Sequence, residues 1–310
     1  MQYEPILGII GNVGPEADEF LQKLIRLRAI REGATRDQDF LPMLVVKNPL
    51  ITDRTSAIFD DGPSPTIGIV ESCRVLEKAG CFLAALPSNT SHYFRADYQS
   101  RTAVYVIDII ASTLRSLHAG DCTTVGLLGT TPTIRTGVFL NHAEAGDLTF
   151  VAPADRDQER LIQSAIYGSR EDGRAHTERR SDGLKAGRHD IALDKILQAV
   201  DRLTHEGVDT FVCACTEISL IGETLRRQRP SLRFIDPMEC LADDCFDIST
   251  LVIQLKTRSR AFDDLNVKDI LKIHSHEQIA KYVSHKAHVN AQAGPLIATD
   301  VRYQAPRTVP

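Results

Sequence analysis

The chain has 310 residues, with 36 basic and 41 acidic side chains and a formal net charge of −5. Hydrophobic residues make up 43% of it and charged residues 25%, proportions that are typical of a folded globular protein and exclude a fibrous or intrinsically disordered one. This length suits one large domain or two ordinary ones. Because basic residues are neither in excess nor clustered in a run, we expect no nucleic-acid partner.

The sequence also lacks the features of an exported or membrane protein. Its first residues show no basic segment followed by an apolar core and a cleavage site, and no stretch approaches the roughly 20 apolar residues of a membrane helix. The seven cysteines are odd in number and irregularly spaced, which favours reduced thiols over disulfides. We therefore expect a cytoplasmic protein with no membrane partner.

Short apolar runs, typical of buried parallel strands, alternate with helix-length segments as far as residue 255. The predicted strands are, in chain order, 6–11, 41–46, 81–86, 124–129, 148–152, 210–214 and 232–235. The predicted helices are 16–31, 67–78, 103–118, 190–205 and 217–227. This alternation predicts an α/β fold built on parallel sheets, in which ligand sites lie beyond the carboxyl ends of strands.

Two segments depart from the alternation. Segment 169–183 is polar and contains glycine, so it is predicted to be a surface loop, either a lid over a site or an inert insertion. Residues 256–310 form a C-terminal extension, with one amphipathic helix predicted at 267–288 and a loosely held tail. The extension contains His274, His276, His285 and His288. Neither a cysteine nor a carboxylate completes a familiar zinc spacing there, so we expect solvated histidines and no metal.

Two predicted strands end in a small polar trio that leads into a predicted helix. The trio Ser88-Asn89-Thr90 follows the third strand, and Cys215-Thr216-Glu217 follows the sixth. A helix N-terminus offers unpaired N–H groups and partial positive charge, so it binds carboxylates and lowers the pKa of a thiol. We therefore expect Cys215 to be a reactive thiolate beside a carboxylate-binding site.

These trios and several shorter motifs resemble the aspartate/glutamate racemase family. The family carries C-N-T and C-T-E trios at the corresponding places, and segment 8–17 (GIIGNVGPEA) is similar to its GGMGP motif. The other similar segments, which keep the family's order and spacing, are 53–55 (DRT), 126–133 (GLLGTTPT), 184–187 (LKAG) and 234–237 (FIDP). The resemblance covers residues 4–255, without segment 169–183.

The resemblance implies two similar Rossmann-like (flavodoxin-like) α/β halves with parallel sheets, related by a pseudo-two-fold, with the active site in the cleft between them. The first half is expected to contain residues 1–118 and 216–255, and the second 119–215, with 256–310 as the extension. We also expect a homodimer that racemises an acidic amino acid, aspartate or glutamate, without pyridoxal phosphate or any other cofactor. In similar enzymes two opposed thiols exchange a proton with Cα, one as base and the other as acid.

The resemblance also implies roles for particular residues. It assigns proton transfer to Ser88 and Cys215, on opposite faces of the substrate. Arg54 and Lys185 match positions that hold substrate carboxylates, and two cations in one cleft favour a dicarboxylic substrate. The further substrate-binding residues are Asn12, Asn89, Thr90, Thr130, Thr133 and Thr216. His92 and Glu217 are expected to support the site.

Ser88 is the departure from the family, whose members carry a cysteine there. A serine hydroxyl is a far weaker acid than a thiol and cannot remove the α-proton unless a neighbour activates it, so activity is expected to be impaired or one-sided. The serine indicates an engineered substitution, a natural one-thiol member or an inactive homologue. The alternative functions are a one-thiol decarboxylase of the arylmalonate type and a dicarboxylate-binding homologue without activity.

Overall fold

The computed structural model describes residues 6–14, 16–169 and 182–258 of the chain. Within these ranges the strands form two four-stranded sheets in which neighbouring strands are parallel. The strands of the first sheet are β1 (Leu7–Gly11), β2 (Met43–Lys47), β3 (Leu83–Ala85) and β4 (Tyr105–Ile107). The strands of the second sheet are β5 (Thr124–Leu127), β6 (Thr149–Val151), β7 (Thr210–Val212) and β8 (Arg233–Ile235).

The two sheets repeat one topology. Strand order is β2-β1-β3-β4 in the first sheet and β6-β5-β7-β8 in the second. In each sheet the first strand of the half therefore pairs with the second and third strands, as Leu7 does with Met43 and Leu83. The predicted α/β architecture of two similar halves with parallel sheets is confirmed.

Helices connect and cover the strands. The α-helices are α1 (Ala17–Arg31), α2 (Arg54–Phe59), α3 (Thr66–Lys78), α4 (Arg95–Ser100), α5 (Ile109–His118), α6 (Thr131–Arg135), α7 (Asp155–Asp157), α8 (Ser164–Tyr167), α9 (His189–His205), α10 (Thr216–Ser219), α11 (Gly222–Gln228) and α12 (Pro237–Arg258). Short 3-10 helices occur at Asp37–Asp39, Thr90–Phe94 and Leu184–Ala186. A π-helix at Gln158–Gln163 joins α7 to α8.

One apolar core joins the two halves. It contains buried side chains of β1 and β3 from the first sheet, β5 and β7 from the second, and α1, α5 and α12. Successive residues of a strand point to opposite faces of the sheet and pack into different cores. Ile9 lies in the shared core, whereas Ile10 lies in a core on the other face of the first sheet. The second sheet has its own outer core against α8 and α9. The shared core therefore fixes the two sheets against each other.

The predicted helix at 103–118 is wrong in its first part, where the structure has β4. Tyr105, Val106 and Ile107 are aromatic or β-branched residues, which favour a strand. Asp108 then ends the strand and begins α5, because its Oδ1 accepts hydrogen bonds from the N–H groups of Ile110 (3.0 Å) and Ala111 (3.3 Å). Two structural elements therefore share the segment that amphipathic periodicity assigned to one.

The predicted helix at 217–227 is also interrupted, because it forms the two short helices α10 and α11. The side chain of Ser219, the last residue of α10, donates a hydrogen bond to Asp236 at 2.6 Å. Gly222, a residue with low helix propensity, begins α11. A β-carbon at Gly222 would lie 3.6 Å from Asp236 Oδ2, so the break brings the chain close to the start of α12.

The division into halves differs from the predicted boundaries at β8. Residues 216–255 are predicted above to belong to the first half, but β8 pairs with β7 and is part of the second sheet. Helix α12, in contrast, packs against α1 and α5 of the first half. An ion pair between Arg28 Nε and Asp243 Oδ1 (3.0 Å) joins α1 to α12. Strand pairing decides the position of β8, whereas apolar packing decides that of α12.

Several predictions lie outside the described residues. These are most of the loop at 169–183, the amphipathic helix at 267–288, the tail and the four histidines of the extension. In the part of the chain that the structure describes, no helix is both long and apolar enough to span a bilayer. In the same part, no group of three or more histidine, cysteine, aspartate or glutamate side chains could hold a metal ion.

Asp236 is a buried carboxyl group between β8 and α12, with 2% of its surface exposed. It accepts hydrogen bonds from Ser219 Oγ (2.6 Å) and Met238 N–H (2.8 Å). Burial nevertheless outweighs these bonds and raises the pKa of Asp236 to about 6. Ionisation of this group therefore opposes folding.

We expect the Asp236→Asn variant to gain stability relative to the unmodified protein as the pH rises from about 4 to about 7. An unfolded aspartate has a pKa of about 3.9, so the folded protein holds an extra proton between about pH 4 and pH 6 and loses stability as the pH rises through this window. The difference in pKa corresponds to about 3 kcal/mol. Urea unfolding of both proteins across this range measures the change.

The matched control is Asp121→Asn, at an exposed carboxylate. Its unfolding free energy relative to the unmodified protein should stay nearly constant across the same pH range. If the difference for Asp236→Asn is equally constant, burial does not set the pKa of Asp236.

Candidate functional site

The carboxyl ends of β3 and β5, which belong to different sheets, meet through three threonines. Thr90, which follows β3, has its Oγ1 2.7 Å from Thr133 Oγ1 and 3.2 Å from Thr130 Oγ1. Thr130 Oγ1 is in turn 2.9 Å from Thr133 Oγ1. We call these three residues the threonine cluster. It joins the two halves at the sheet edge where parallel α/β folds place their ligands.

The loop after β1 also reaches the second half. A β-carbon on Gly14 would lie 3.2 Å from both Thr216 Oγ1 and Glu217 Oε1, so the lack of a side chain permits this close approach. Further along the first half, Thr55 Oγ1 of α2 is 3.0 Å from the hydroxyl of Tyr167, the last residue of α8. Together with the threonine cluster, these contacts bring the ends of four strands to one place.

Glu217, which follows β7 in the chain, contacts three polar side chains. The Sγ–H of Cys215 donates to Glu217 Oε2 at 2.9 Å, and Thr216 Oγ1 donates to the same oxygen at 3.2 Å. The other oxygen, Oε1, forms a buried ion pair with Lys185 Nζ. The ammonium of Lys185 lies 5.1 Å from the ring centroid of Tyr167, which adds a cation–π contact. One carboxylate therefore positions the thiol and the lysine together.

Lys185 and Glu217 keep each other ionised. Burial acts to raise the pKa of Glu217, but Lys185 and the hydrogen bond from Cys215 lower the pKa below its ordinary value. Burial acts to lower the pKa of Lys185, but the Glu217 carboxylate raises the pKa above its ordinary value. The nearby positive charge of Arg54 opposes that rise. The site therefore contains two cations, Lys185 and Arg54, and one buried anion.

The predicted low pKa of Cys215 is wrong for this arrangement. Burial and the Glu217 carboxylate raise the pKa of the thiol well above its ordinary value, and Lys185 opposes them only in part. The expected help from a helix N-terminus is small, because α10 has only four residues. Cys215 is therefore a protonated thiol near neutral pH.

Ser88 lies at the end of β3 and is 5% exposed. Its Oγ accepts a hydrogen bond from Ser91 Oγ at 2.8 Å. His92 contacts the Ser88 backbone instead of its hydroxyl, with Nδ1 2.9 Å from the Ser88 carbonyl oxygen. Its Nε2 is 3.4 Å from both Ile109 N and Ile107 O, so backbone groups hold both nitrogens of the ring. Burial lowers the pKa of His92, and the neutral ring orients Ser88 without activating its hydroxyl.

Asn89 carries a buried amide group that lacks partners. The residue is 2% exposed, and neither its Oδ1 nor its Nδ2 has a hydrogen-bond partner among the described residues. A buried polar group without a partner destabilises a fold. Asn89 lies between Ser88 and Thr90, so its amide is available for further hydrogen bonds at the end of β3.

Arg54 begins α2 and is held by backbone carbonyl groups. Its Nη2 donates to Val13 O at 2.6 Å and its Nη1 to Thr52 O at 3.4 Å, while its buried Nε has no partner among the described residues. In the described part of the chain no carboxylate forms an ion pair with Arg54. Asn12 follows β1 in the left-handed region (φ 62°) with its side chain exposed, unlike the buried polar residues described above.

Two residues of this arrangement escaped the sequence-based prediction. Ser91 lies three residues after Ser88, and that spacing is a signal from which its contact with the Ser88 hydroxyl could have been found. Tyr167 contacts Thr55 and Lys185, which are distant from it in the sequence, so no local pattern indicates its role.

Residues 24–245 match the Asp/Glu/Hydantoin racemase family. The match covers more than half of the chain, and the chain belongs to this family. A related protein, the broad specificity amino-acid racemase RacX of Bacillus subtilis (strain 168), is 24% identical over 241 residues, which are 76% of this chain and 95% of RacX. The family resemblance inferred from the two trios is confirmed.

Solved structures of racemases share the fold. An aspartate racemase from Picrophilus torridus superposes with a TM-score of 0.61 at 22% identity, covering 79% of this chain and 94% of that one. The glutamate racemase isoform RacE1 from Bacillus anthracis superposes with a TM-score of 0.54 at 15% identity, covering 82% and 84%. At these identities the likeness shows a common fold.

We expect the Glu217→Gln variant to increase the rate at which iodoacetamide alkylates Cys215 at pH 8. The substitution removes a negative charge next to the thiolate while Lys185 remains, so the pKa of Cys215 falls and alkylation becomes roughly tenfold faster. Tandem mass spectrometry of the peptide that contains Cys215 measures the rate and separates it from that of Cys213.

Glu223→Gln, on the exposed surface of α11, is the matched control and should leave the rate unchanged. Slower alkylation in Glu217→Gln would contradict this account, because Glu217 would then be helping to remove the thiol proton.

Proposed function

We propose that this protein is a racemase that transfers a proton at Cα of an acidic amino acid, aspartate or glutamate, without pyridoxal phosphate. The observation that carries the proposal is the buried thiol of Cys215, hydrogen-bonded to the Lys185–Glu217 pair at the end of β7. The amide of Asn89 at the end of β3, which has no partner among the described residues, supports it. Membership of the Asp/Glu/Hydantoin racemase family supports racemisation as the reaction class.

The proposed substrate class rests on the charges of the site. An acidic amino acid brings two carboxylates and one ammonium group. Arg54 can grip one carboxylate through its guanidinium, while the Asn89 amide and the threonine cluster offer hydrogen bonds to the other. Glu217 is the buried anion that the substrate ammonium can approach. RacX is described as broad in specificity, so the preference for acidic substrates is a proposal about this chain alone.

Cys215 is the proposed acid and base on one face of the substrate. Its thiol is protonated near neutral pH, so it can give a proton to a carbanion at Cα directly. Removal of the α-proton requires the thiolate, which a positively charged α-ammonium group beside Cys215 would favour. Positioned proton transfer of this kind contributes about 10²–10⁴-fold to the rate. Hydrogen bonds to the α-carboxylate would stabilise the enolate-like charge that develops.

Ser88 is the proposed acid or base on the opposite face of the substrate. Its Oγ already accepts from Ser91, and its own proton is committed to no acceptor in the described ranges. The hydroxyl is therefore a hydrogen-bond donor and a poor base. In this proposal the two faces are unequal, and the protein exchanges the α-proton of one enantiomer much faster than it interconverts the two.

One observation favours decarboxylation as a second candidate function. A decarboxylase of the arylmalonate type needs one thiol to protonate the carbanion left by loss of CO₂, and the thiol of Cys215 is protonated near neutral pH. The cations Arg54 and Lys185 are less suited to that reaction, since a leaving carboxylate prefers a more apolar pocket.

The cytoplasmic location and the homodimer stay predictions from the sequence.

We expect the unmodified protein in D₂O to exchange the α-proton of one enantiomer of aspartate or glutamate. We expect Ser88→Cys to racemise that amino acid about 10²-fold or more faster than the unmodified protein does. The reason is that the substitution restores a thiol on the second face. Proton NMR of L- and D-aspartate and of L- and D-glutamate measures exchange at Cα, and polarimetry measures racemisation.

Cys215→Ser is the control and should abolish exchange in both enantiomers. If Ser88→Cys binds these amino acids but racemises neither, the proposed mechanism is wrong. Release of CO₂ from an arylmalonate without any exchange at Cα would establish the second candidate instead.

A further inference from the structure

The π-helix next to the site presents three polar side chains to one segment of backbone. In an α-helix, residues five apart are rotated by about 140° and face different directions. The wider turns of a π-helix bring such residues closer to one face. Gln158 and Gln163 are related in this way, and both are 3% exposed. The mechanism proposed above uses neither residue.

These side chains bind the segment that follows β5, through two backbone groups and one hydroxyl. Gln163 Oε1 accepts a hydrogen bond from Thr131 N–H at 2.9 Å, and Glu159 Oε1 accepts one from Thr131 Oγ1 at 2.7 Å. Gln158 Nε2 donates to Gly129 O at 2.8 Å. The π-helix therefore holds Gly129 and Thr131, which flank a single residue.

The residue between them is Thr130, whose hydroxyl belongs to the threonine cluster. Thr130 is the N-cap of α6, in an extended conformation (φ −62°, ψ 152°), and its side chain depends on the two peptide groups that flank it. Gly129 adds a further constraint, because a β-carbon there would lie 2.9 Å from Ala214 O, directly before Cys215. Movement of this segment would displace Thr130 relative to both Thr90 and the thiol.

We propose that Gln158, Glu159 and Gln163 are positioning residues that aim the Thr130 hydroxyl at the substrate α-carboxylate. The part of this proposal that concerns substrate rests on the proposed function, whereas the part that concerns the backbone does not. The amides of Gln158 and Gln163 are only half satisfied, since Gln158 Oε1 and Gln163 Nε2 have no partners among the described residues. Buried amides at these positions are therefore costly for stability, and their contacts with residues 129–131 explain their presence.

The test compares Gln163→Met, which keeps the length of the side chain and loses the acceptor for Thr131 N–H, with Gln163→Glu, which keeps an acceptor. Arg160→Gln, on the exposed side of the same π-helix, is the matched control. Hydrogen exchange resolved to the Thr131 amide should be about tenfold faster in Gln163→Met, because a bond to that amide is lost. It should be unchanged in the control and close to normal in Gln163→Glu.

Steady-state kinetics with the preferred acidic amino acid gives the second readout. We expect Gln163→Met to raise KM about tenfold and also to lower kcat, because a displaced hydroxyl weakens both the binding of the α-carboxylate and the stabilisation of the enolate-like charge. A merely structural role would reduce the folded fraction, which lowers the apparent kcat and leaves KM unchanged. Gln163→Glu should restore most of the affinity.

Unchanged exchange at Thr131, or faster exchange with an unchanged KM, would overturn the proposal. If Gln163→Met does not fold, Gln158→Met, which loses the bonds to Gly129 O and Thr131 Oγ1, is measured in the same way. Absence of any binding or turnover of acidic amino acids by the unmodified protein refutes the proposed function. The exchange rate of Thr131 still decides whether the π-helix holds the segment.

Discussion

The buried carboxylate of Glu217 constrains the whole arrangement at the strand ends. A charge removed from water to this extent is tolerated only next to an opposite charge, which Lys185 supplies from a separate segment of the chain. The same carboxylate accepts the thiol proton of Cys215 in a hydrogen bond. Gly14 leaves room for it by presenting no side chain. The positions of a thiol, a lysine and the loop after β1 therefore all depend on one ion pair.

That ion pair also explains why the helix-terminus argument fails for Cys215. The local helix dipole favours a thiolate, but burial and the neighbouring anion oppose it. Because α10 is a single short turn, its dipole changes the pKa of Cys215 less than burial and the Glu217 carboxylate do. The thiol and the Ser88 hydroxyl are therefore both protonated, but they differ in how readily they lose the proton. In the proposed function, this difference makes the two faces of the site unequal.

The positions of most strands were predictable from the sequence, because continuous apolar runs bounded by polar residues are typical of parallel sheets. The failures fall where one periodic pattern spans two elements. β4 was hidden in the predicted helix 103–118, since a strand of three residues is too short to show a period of its own. The interruption between α10 and α11 depends on Asp236, which lies outside that segment and which periodicity cannot detect.

Some features of the candidate site were likewise predictable from the sequence, and others were not. The sequence by itself determined the α/β class, the family and the two polar trios, because hydrophobic periodicity and motif order are local properties of the chain. Only the tertiary structure decided that Thr90 meets Thr130 and Thr133, that Lys185 neutralises Glu217, and that Tyr167 lies between the halves. It also decided the protonation of Cys215. The physical reason is that burial and the distance between charges depend on residues brought together from remote parts of the chain, and no local pattern encodes them.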